Sequence, residues 1–272
     1  MKTLFTKSDI EILISTMQRE NLDFLNLLFP NQNLSELNLL IVNQTDKSPL
    51  TSGFKNIRVI NSSNSGLSKS RNEALQNSIG KILVIADDDI VYKEGFLDSI
   101  INAYNQNPEA AIIKFRCSRD NSSYEKSLSS TNYIMNWFDI LNAVSIEITI
   151  NKKIVPESFL KFDEDFGLGS AFPAGEEQRF LADLKNVGLK LFRNNTIIVE
   201  HTHQSTGQKM SLQERYRVYG ALMSSIFPKN WRKWLSLKFF FELKQKKIKL
   251  NEIKKAGKSF VIGRREFLDK NK

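Results

Sequence analysis

Three observations predict an α/β fold: a mostly parallel sheet with helices on both faces, followed by a basic helical extension at the carboxyl end. Short apolar runs alternate with helical patterns of about 10–15 residues, the rhythm of strand–crossover–strand units. The runs are continuous rather than alternating, which suits strands covered on both faces. The charge is split along the chain: residues 209–272 hold 18 Lys+Arg against 5 Asp+Glu, a net +13, whereas residues 1–208 hold 21 against 25, a net −4.

At 272 residues, 41% of them hydrophobic, the chain is long enough for one full α/β core with an appendage. Cys117 is the single cysteine, so no intramolecular disulfide is possible and a reducing compartment is expected. The opening residues, MKTLFTKSDIEILIST, have no uninterrupted apolar core of signal-peptide length. No window approaches the ~20 apolar residues that span a bilayer. The expectation is an unprocessed cytoplasmic protein.

Strands are expected at residues 9–15, 37–42, 57–60, 82–86 and 110–117, each an apolar run closed by polar residues. Leu22, Leu25, Leu28 and Phe29 carry a helical pattern closed by Pro30. In NSGLSKSRNEAL, Gly66 turns the chain and Ser68 is the expected cap of a helix that carries Arg71 one turn inside. A further helix is expected at about residues 94–105. Residues 121–132, serine-rich and poor in apolar side chains, read as a mobile segment or lid. Residues 145–150 alternate like a strand, and 189–192 and 197–199 read as two more short strands. Between these, Gly175 precedes Glu176 and Glu177 at the start of an amphipathic helix with Phe180, Leu181, Leu184 and Val187 as its apolar face and Gly188 as its end.

The strand at 82–86 runs straight into Asp87, Asp88 and Asp89. Three adjacent carboxylates repel one another, and in open α/β sheets the carboxyl ends of the strands are where ligands bind. Hard oxygen ligands there suit Mg²⁺ or Mn²⁺ shared with a diphosphate; the plainer reading is an acidic helix start favoured by the helix dipole. Thr16 to Arg19, Asn43 to Thr45 and Arg71 fall at neighbouring strand ends and converge on the same crevice. His201 and His203, the only histidines, follow the last strand, and one of them at most is expected to reach a metal held by the aspartates. The lone distant cysteine argues against zinc. The dipole at the start of the 176–187 helix favours ionised carboxylates, so burial must oppose it if either glutamate is to act as a general base.

Three ordered motifs, NSGLSKSRN, IADDDIVYKEGF and FDEDFGLGS followed by AGEEQRFLADLKNVGLKL, resemble glycosyltransferase family 2, inverting nucleotide-sugar enzymes of the GT-A fold. Within it the chain is most similar to bacterial enzymes that build capsular, exopolysaccharide or O-antigen repeat units. The resemblance spans residues 10–203 and implies a catalytic domain at 1–208, with a nucleotide-sugar half (1–118) and an acceptor half (119–208), and an extension at 209–272. It implies a UDP-sugar donor, with Thr16, Arg19 and Asn43 lining the uracil and ribose pocket and Arg71 reaching the nucleotide. Asp87 and Asp88 would face the ribose or metal, and Asp89 would ligate Mn²⁺ or Mg²⁺ with Asp87 and a histidine, His201 or His203. Glu177 stands where the family places the aspartate that deprotonates the acceptor hydroxyl, and Glu176 would hold a sugar hydroxyl. Asn43 replaces the usual acidic residue. The implied acceptor is a glycan or a polyprenyl-diphosphate-linked saccharide.

In the extension, residues 211–227 read as a helix broken by Pro228, and Trp231, Trp234 and Phe239 to Phe241 mix with Lys244, Lys246, Lys247 and Lys249. That composition suits a helix lying on the inner leaflet of the membrane, making the protein peripheral there, and equally suits a cap whose aromatics pack on the catalytic domain. No nucleic-acid motif accompanies the basic tail, so no nucleic acid is expected as a partner. A metal-dependent nucleotidyltransferase and an inactive sugar-nucleotide-binding relative are the other readings.

Overall fold

Side chains of the first strands are buried alternately in two different clusters, which shows why helices cover both faces of the sheet. In the computed structural model, which describes residues 4–30, 32–119, 132–201 and 210–271, β1 (Ile10–Met17) sends Ile10, Ile12 and Ile14 into one hydrophobic cluster and Leu13 into another. β2 (Leu39–Gln44) divides Leu39 and Ile41 from Leu40 and Val42 in the same way, and β4 (Ile82–Asp87) divides Ile82, Val84 and Ala86 from Leu83 and Ile85. Successive side chains of a strand point to opposite faces, so continuous apolar runs require two buried faces. One is covered by α1 (Phe24–Leu28) and α3 (Phe96–Gln106), the other by α2 (Leu67–Asn77), α5 (Glu176–Asn186), α6 (Leu212–Ile226) and α8 (Ile253–Lys270).

The remaining elements are β3 (Ile57–Ser62), β5 (Ile90–Tyr92), β6 (Ile112–Arg119), β7 (Tyr133–Ile134), α4 (Trp137–Leu141), β8 (Ile148–Asn151), β9 (Leu191–His201) and α7 (Trp231–Lys244). The described strands form one sheet in the order β3-β2-β1-β4-β8-β6-β9-β5, with β7 paired to β9. β3, β2, β1 and β4 are mutually parallel, as is β6 with β9; β8, β5 and β7 pair antiparallel. The parallel first half puts the carboxyl ends of β1, β2 and β4 side by side, with Ser15 opposite Asp87 and Thr16 opposite Asn43.

Several expected elements differ. Ser68 is not the cap of α2: Gly66, at φ +124, occupies that position and Ser68 lies inside the helix, its Oγ donating to the carbonyl of Phe166 at 2.5 Å. The two short strands expected at 189–192 and 197–199 are one, β9, because pairing with β6 carries the chain through polar residues 193–196 with a register shift at Arg116. β5 goes unannounced in the sequence, being three residues long and defined by its pairing to β9. The strand expected at 145–150 begins as a 3-10 turn, Ser145–Glu147, before β8. Val187 is not part of the buried face of α5; it is exposed, whereas Phe180, Leu181 and Leu184 are buried. The serine-rich segment at 121–132 and His203 lie outside the described residues, apart from Asn132.

The extension is helical and joined to the core. Tyr216, Phe260 and Phe267 belong to the same buried cluster as the β2 and β4 side chains, and α6 packs against α5. Trp234 stacks on Phe227 with ring centroids 4.6 Å apart, and Phe239 stacks on Tyr216 at 5.3 Å. Phe240 and Phe241 are exposed. Among the described residues no helix is long and apolar enough to cross a membrane.

Candidate active site

Arg71 is the centre of the crevice. The first turns of α2 lie across the ends of β1 and β4, with Ser70 Oγ 3.0 Å from Ser15 Oγ, and this seats Arg71 with almost no exposure. Its Nη2 donates to Asp87 Oδ1 and to Ser145 Oγ, each at 2.8 Å, and its Nη1 donates to Glu176 Oε1 at 2.8 Å. Burial works against its charge, but the carboxylates of Asp87, Glu176 and Glu177 outweigh that, holding the guanidinium protonated beyond its already strong tendency. A planar fork is what such a geometry needs; an ammonium could not span both carboxylates.

The neighbouring carboxylates have separate partners. Asp88 Oδ2 accepts from Arg19 Nε at 2.9 Å and Nη2 at 2.7 Å, and from the Thr16 hydroxyl. Arg19 also lies over the ring of Phe24, 4.9 Å from its centroid. Asn43 is fully buried, with its Oδ1 accepting from the Arg19 N–H and its Nδ2 donating to the Arg19 carbonyl, both at 3.0 Å. Both ends of its amide are therefore engaged on the turn after β1, and it sets where Arg19 stands. Asp89 faces His201 across the crevice, Oδ2 to Nε2 at 3.5 Å, because β5 and β9 pair with Ile90 opposite His201.

On the other side of Arg71, α5 begins at Gly175 and presents Glu176 and Glu177. Glu177 is half-buried overall, but its Oε2 is enclosed without a hydrogen-bond partner among the described residues, as is Glu176 Oε2. Burial pushes the Glu177 carboxyl well above its ordinary range; Glu176 pushes it further, and Arg71 offsets part of the rise. Burial thus overrides the helix dipole at this position. Gly167, at φ +104, brings the loop between β8 and α5 against both α2 and α5: a Cβ there would lie 2.6 Å from Ser68 Oγ and 3.4 Å from Glu176 Cδ. Two residues of the site had no role assigned from the sequence: Ser145 on Arg71, and Phe162, which opens the FDEDFGLGS motif and whose ring lies 5.7 Å from the Arg71 guanidinium carbon.

Residues 31–156 match the family model described as glycosyl transferase family 2. The crystal structure of S. aureus TarS 1-349 in complex with UDP is similar at a TM-score of 0.56 and 14% identity, over 93% of this chain and 80% of that one. For the complex with UDP-GlcNAc the TM-score is 0.56 at 13% identity, over 79% of this chain and 66% of that one. The mannosyltransferase PcManGT from Pyrobaculum calidifontis, in complex with GDP-Man and Mn²⁺, is similar at a TM-score of 0.51 and 12% identity, over 82% and 64%. The chain thus spans about two thirds of the length of two of these three chains. No curated protein sequence matches it. The fold is GT-A.

In the GT-A frame the aspartate strand, the Arg71 helix and the Glu176–Glu177 helix meet at the carboxyl ends of the parallel strands, the ligand side of an open α/β sheet. The residues fit a divalent cation at one place. A carboxylate oxygen and an imidazole nitrogen 3.5 Å apart are close enough to be neighbouring ligands of one ion, and Mg²⁺-like sites complete their shell with substrate phosphates and water. Asp87 is turned to Arg71 instead. Among the described residues no group of three or more His, Cys, Asp or Glu side chains gathers as a metal cage.

The extension braces the loop between β8 and α5. Phe267 of α8 packs on Phe166 and Phe172, Lys270 pairs with Asp165, and Arg217 of α6 donates to the Ala171 carbonyl at 2.7 Å.

Proposed function

We propose that this protein is an inverting glycosyltransferase of family 2 that moves a sugar from a nucleotide-sugar, a UDP-sugar in our reading, to a hydroxyl of a glycan or lipid-linked acceptor in bacterial surface polysaccharide synthesis. The observation that carries the reading is the buried Arg71, ion-paired at once to Asp87 of the aspartate strand and to Glu176 of the acceptor-side helix. The family match over residues 31–156 supports it. TarS with UDP-GlcNAc and PcManGT with GDP-Man and Mn²⁺ are nucleotide-sugar complexes on the same fold.

Each side chain then has a task. Arg19, set by Asn43 and tied to Asp88 and Thr16, lines the nucleoside pocket. Asp89 and His201 would hold Mn²⁺ or Mg²⁺, which when bound neutralises the leaving diphosphate. Glu177 takes the proton from the acceptor hydroxyl through its enclosed, unpartnered Oε2, and its raised pKa makes it a stronger base than an ordinary glutamate. Glu176, fixed on one oxygen by Arg71, keeps the other for a sugar hydroxyl. A single displacement opposite the nucleotide inverts the anomeric centre. Residues 1–208 carry this chemistry, and residues 209–272 brace the acceptor loop and approach the inner leaflet, where a polyprenyl-diphosphate-linked acceptor lies.

A thermal-shift panel of UDP, GDP, CDP and dTDP, each with and without Mn²⁺, tests the reading, since a ligand that binds only the native state raises the melting temperature. A metal-dependent rise with UDP is expected. No rise with any nucleotide, from folded protein, would overturn it; turnover of a nucleoside triphosphate with a sugar phosphate would favour a nucleotidyltransferase instead.

A further inference from the structure

Away from the crevice, α7 and α8 enclose a groove of about 490 Å³ beside Trp231. Trp231 is backed by Phe260, stacked at 5.5 Å, and carries two guanidinium groups, Arg232 at 4.5 Å and Arg264 at 5.0 Å from its ring. Arg265 completes the cationic set, and the only acidic side chain in the lining is Asp269, 3.6 Å from Arg265. Among the described residues Arg264 Nε is enclosed without a hydrogen-bond partner. Three cations against one carboxylate leave the groove short of negative charge.

Its walls are apolar as well. Val261, Arg264, Arg265 and Leu268 follow at helical spacing on one face of α8, with Ile262 beside them, and Val261 and Ile262 are 54% and 52% exposed. A soluble anion needs the arginines but not exposed branched aliphatics next to them. Cations interleaved with apolar side chains and an interfacial Trp suit the boundary between phosphate headgroups and acyl chains.

We propose that this groove is a docking site for the phosphate headgroups of an anionic lipid surface. Arg232, Arg264 and Arg265 take the phosphate, while Val261 and Ile262 enter the acyl boundary. The other face of α8 holds Phe267 against the acceptor-side loop, so docking sets that loop and the crevice at a constant distance from the membrane. The inference deepens the glycosyltransferase reading, on which only its purpose rests.

The test is co-sedimentation of the full chain, without nucleotide, on vesicles of phosphatidylcholine alone and of phosphatidylcholine with about a third phosphatidylglycerol. Binding to the anionic vesicles alone is expected. The double substitution R232E/R265E should reduce partitioning about tenfold or more, given roughly 1 kcal/mol per basic residue near such a surface. V261D, which leaves the charges in place, should also reduce it. K246E/K247E, at the turn after α7, serves as the control and should retain most of the binding. Absence of binding, equal loss with the control, or displacement by inorganic phosphate at matched ionic strength would overturn the proposal, as would V261D binding like the native chain. Because binding is read without nucleotide, a failure here is distinct from a failure of the UDP thermal shift.

Discussion

Arg71 Nη1 lies 2.8 Å from Glu176 Oε1, joining residues 105 positions apart in a buried ion pair. The same guanidinium holds Asp87, so β4 and α5 are fixed to each other through one side chain. Removing one partner of a buried pair leaves the others uncompensated.

Arg71→Lys is therefore expected to destabilise the protein by about 3 kcal/mol, within the range for breaking buried pairs. A lysine keeps the charge but reaches one carboxylate, not both. Urea denaturation of the two proteins checks the value, and transfer assays should show a loss far larger than the remaining folded fraction explains.

Glu177→Gln separates the proposed catalytic role of Glu177 from its effect on stability. Loss of a general base lowers transfer by roughly 10²–10⁴-fold. The folded-state pKa of Glu177 is raised, so its contribution to stability is present below its unfolded pKa and is lost as pH rises through the folded value. The glutamine variant should equal the native chain in urea at about pH 4 and exceed it at about pH 8. In the native chain the proposed transfer rate should climb as pH rises through that same raised pKa.

His201→Ala should raise the Mn²⁺ concentration needed for a UDP-induced thermal shift by roughly tenfold or more, in line with the loss of one ligand from a sparse site. EDTA should abolish the shift in the native chain. A metal titration with an unchanged midpoint in the variant would remove His201 from the site.

The contact of α6 with α8 depends on two glycines. A Cβ at Gly263 would sit 1.8 Å from the Arg217 carbonyl oxygen, and one at Gly220 2.0 Å from that of Phe260. Both obstacles are backbone, so Gly263→Ala and Gly220→Ala should each destabilise by about 1–3 kcal/mol or more. Gly257, on the same helix α8, meets only Phe239 Cζ at 3.9 Å. Gly257→Ala should instead stabilise by about 0.5–1 kcal/mol through helix propensity. Denaturation midpoints of the three variants measure the contrast.

The parallel first half of the sheet and its crevice were legible because their signals are local. A continuous apolar run of strand length implies two covered faces, and polar residues closing β1, β2 and β4 fall together once those strands are parallel. Arg71, one turn into its helix, follows from the same argument. Other features resisted reading for a common reason. β5 is three residues defined by its partner β9, and β9 runs unbroken through polar residues because β6 supplies its hydrogen bonds. The composition of the extension fits a membrane helix or a packed cap, and its aromatics divide: Trp234 and Phe239 stack inward while Phe240 remains exposed.

By itself the sequence determined which carboxylates, arginines and histidines stand at strand and helix ends, since periodicity and turn residues are properties of neighbouring positions. Only the tertiary structure decided how they pair: Asp87 with Arg71, Asp88 with Arg19, Asp89 with His201, and Asn43 with the main chain of Arg19. Three consecutive aspartates are alike in sequence. What distinguishes them is the cation or donor that packing brings to each, from 16 to 112 residues away.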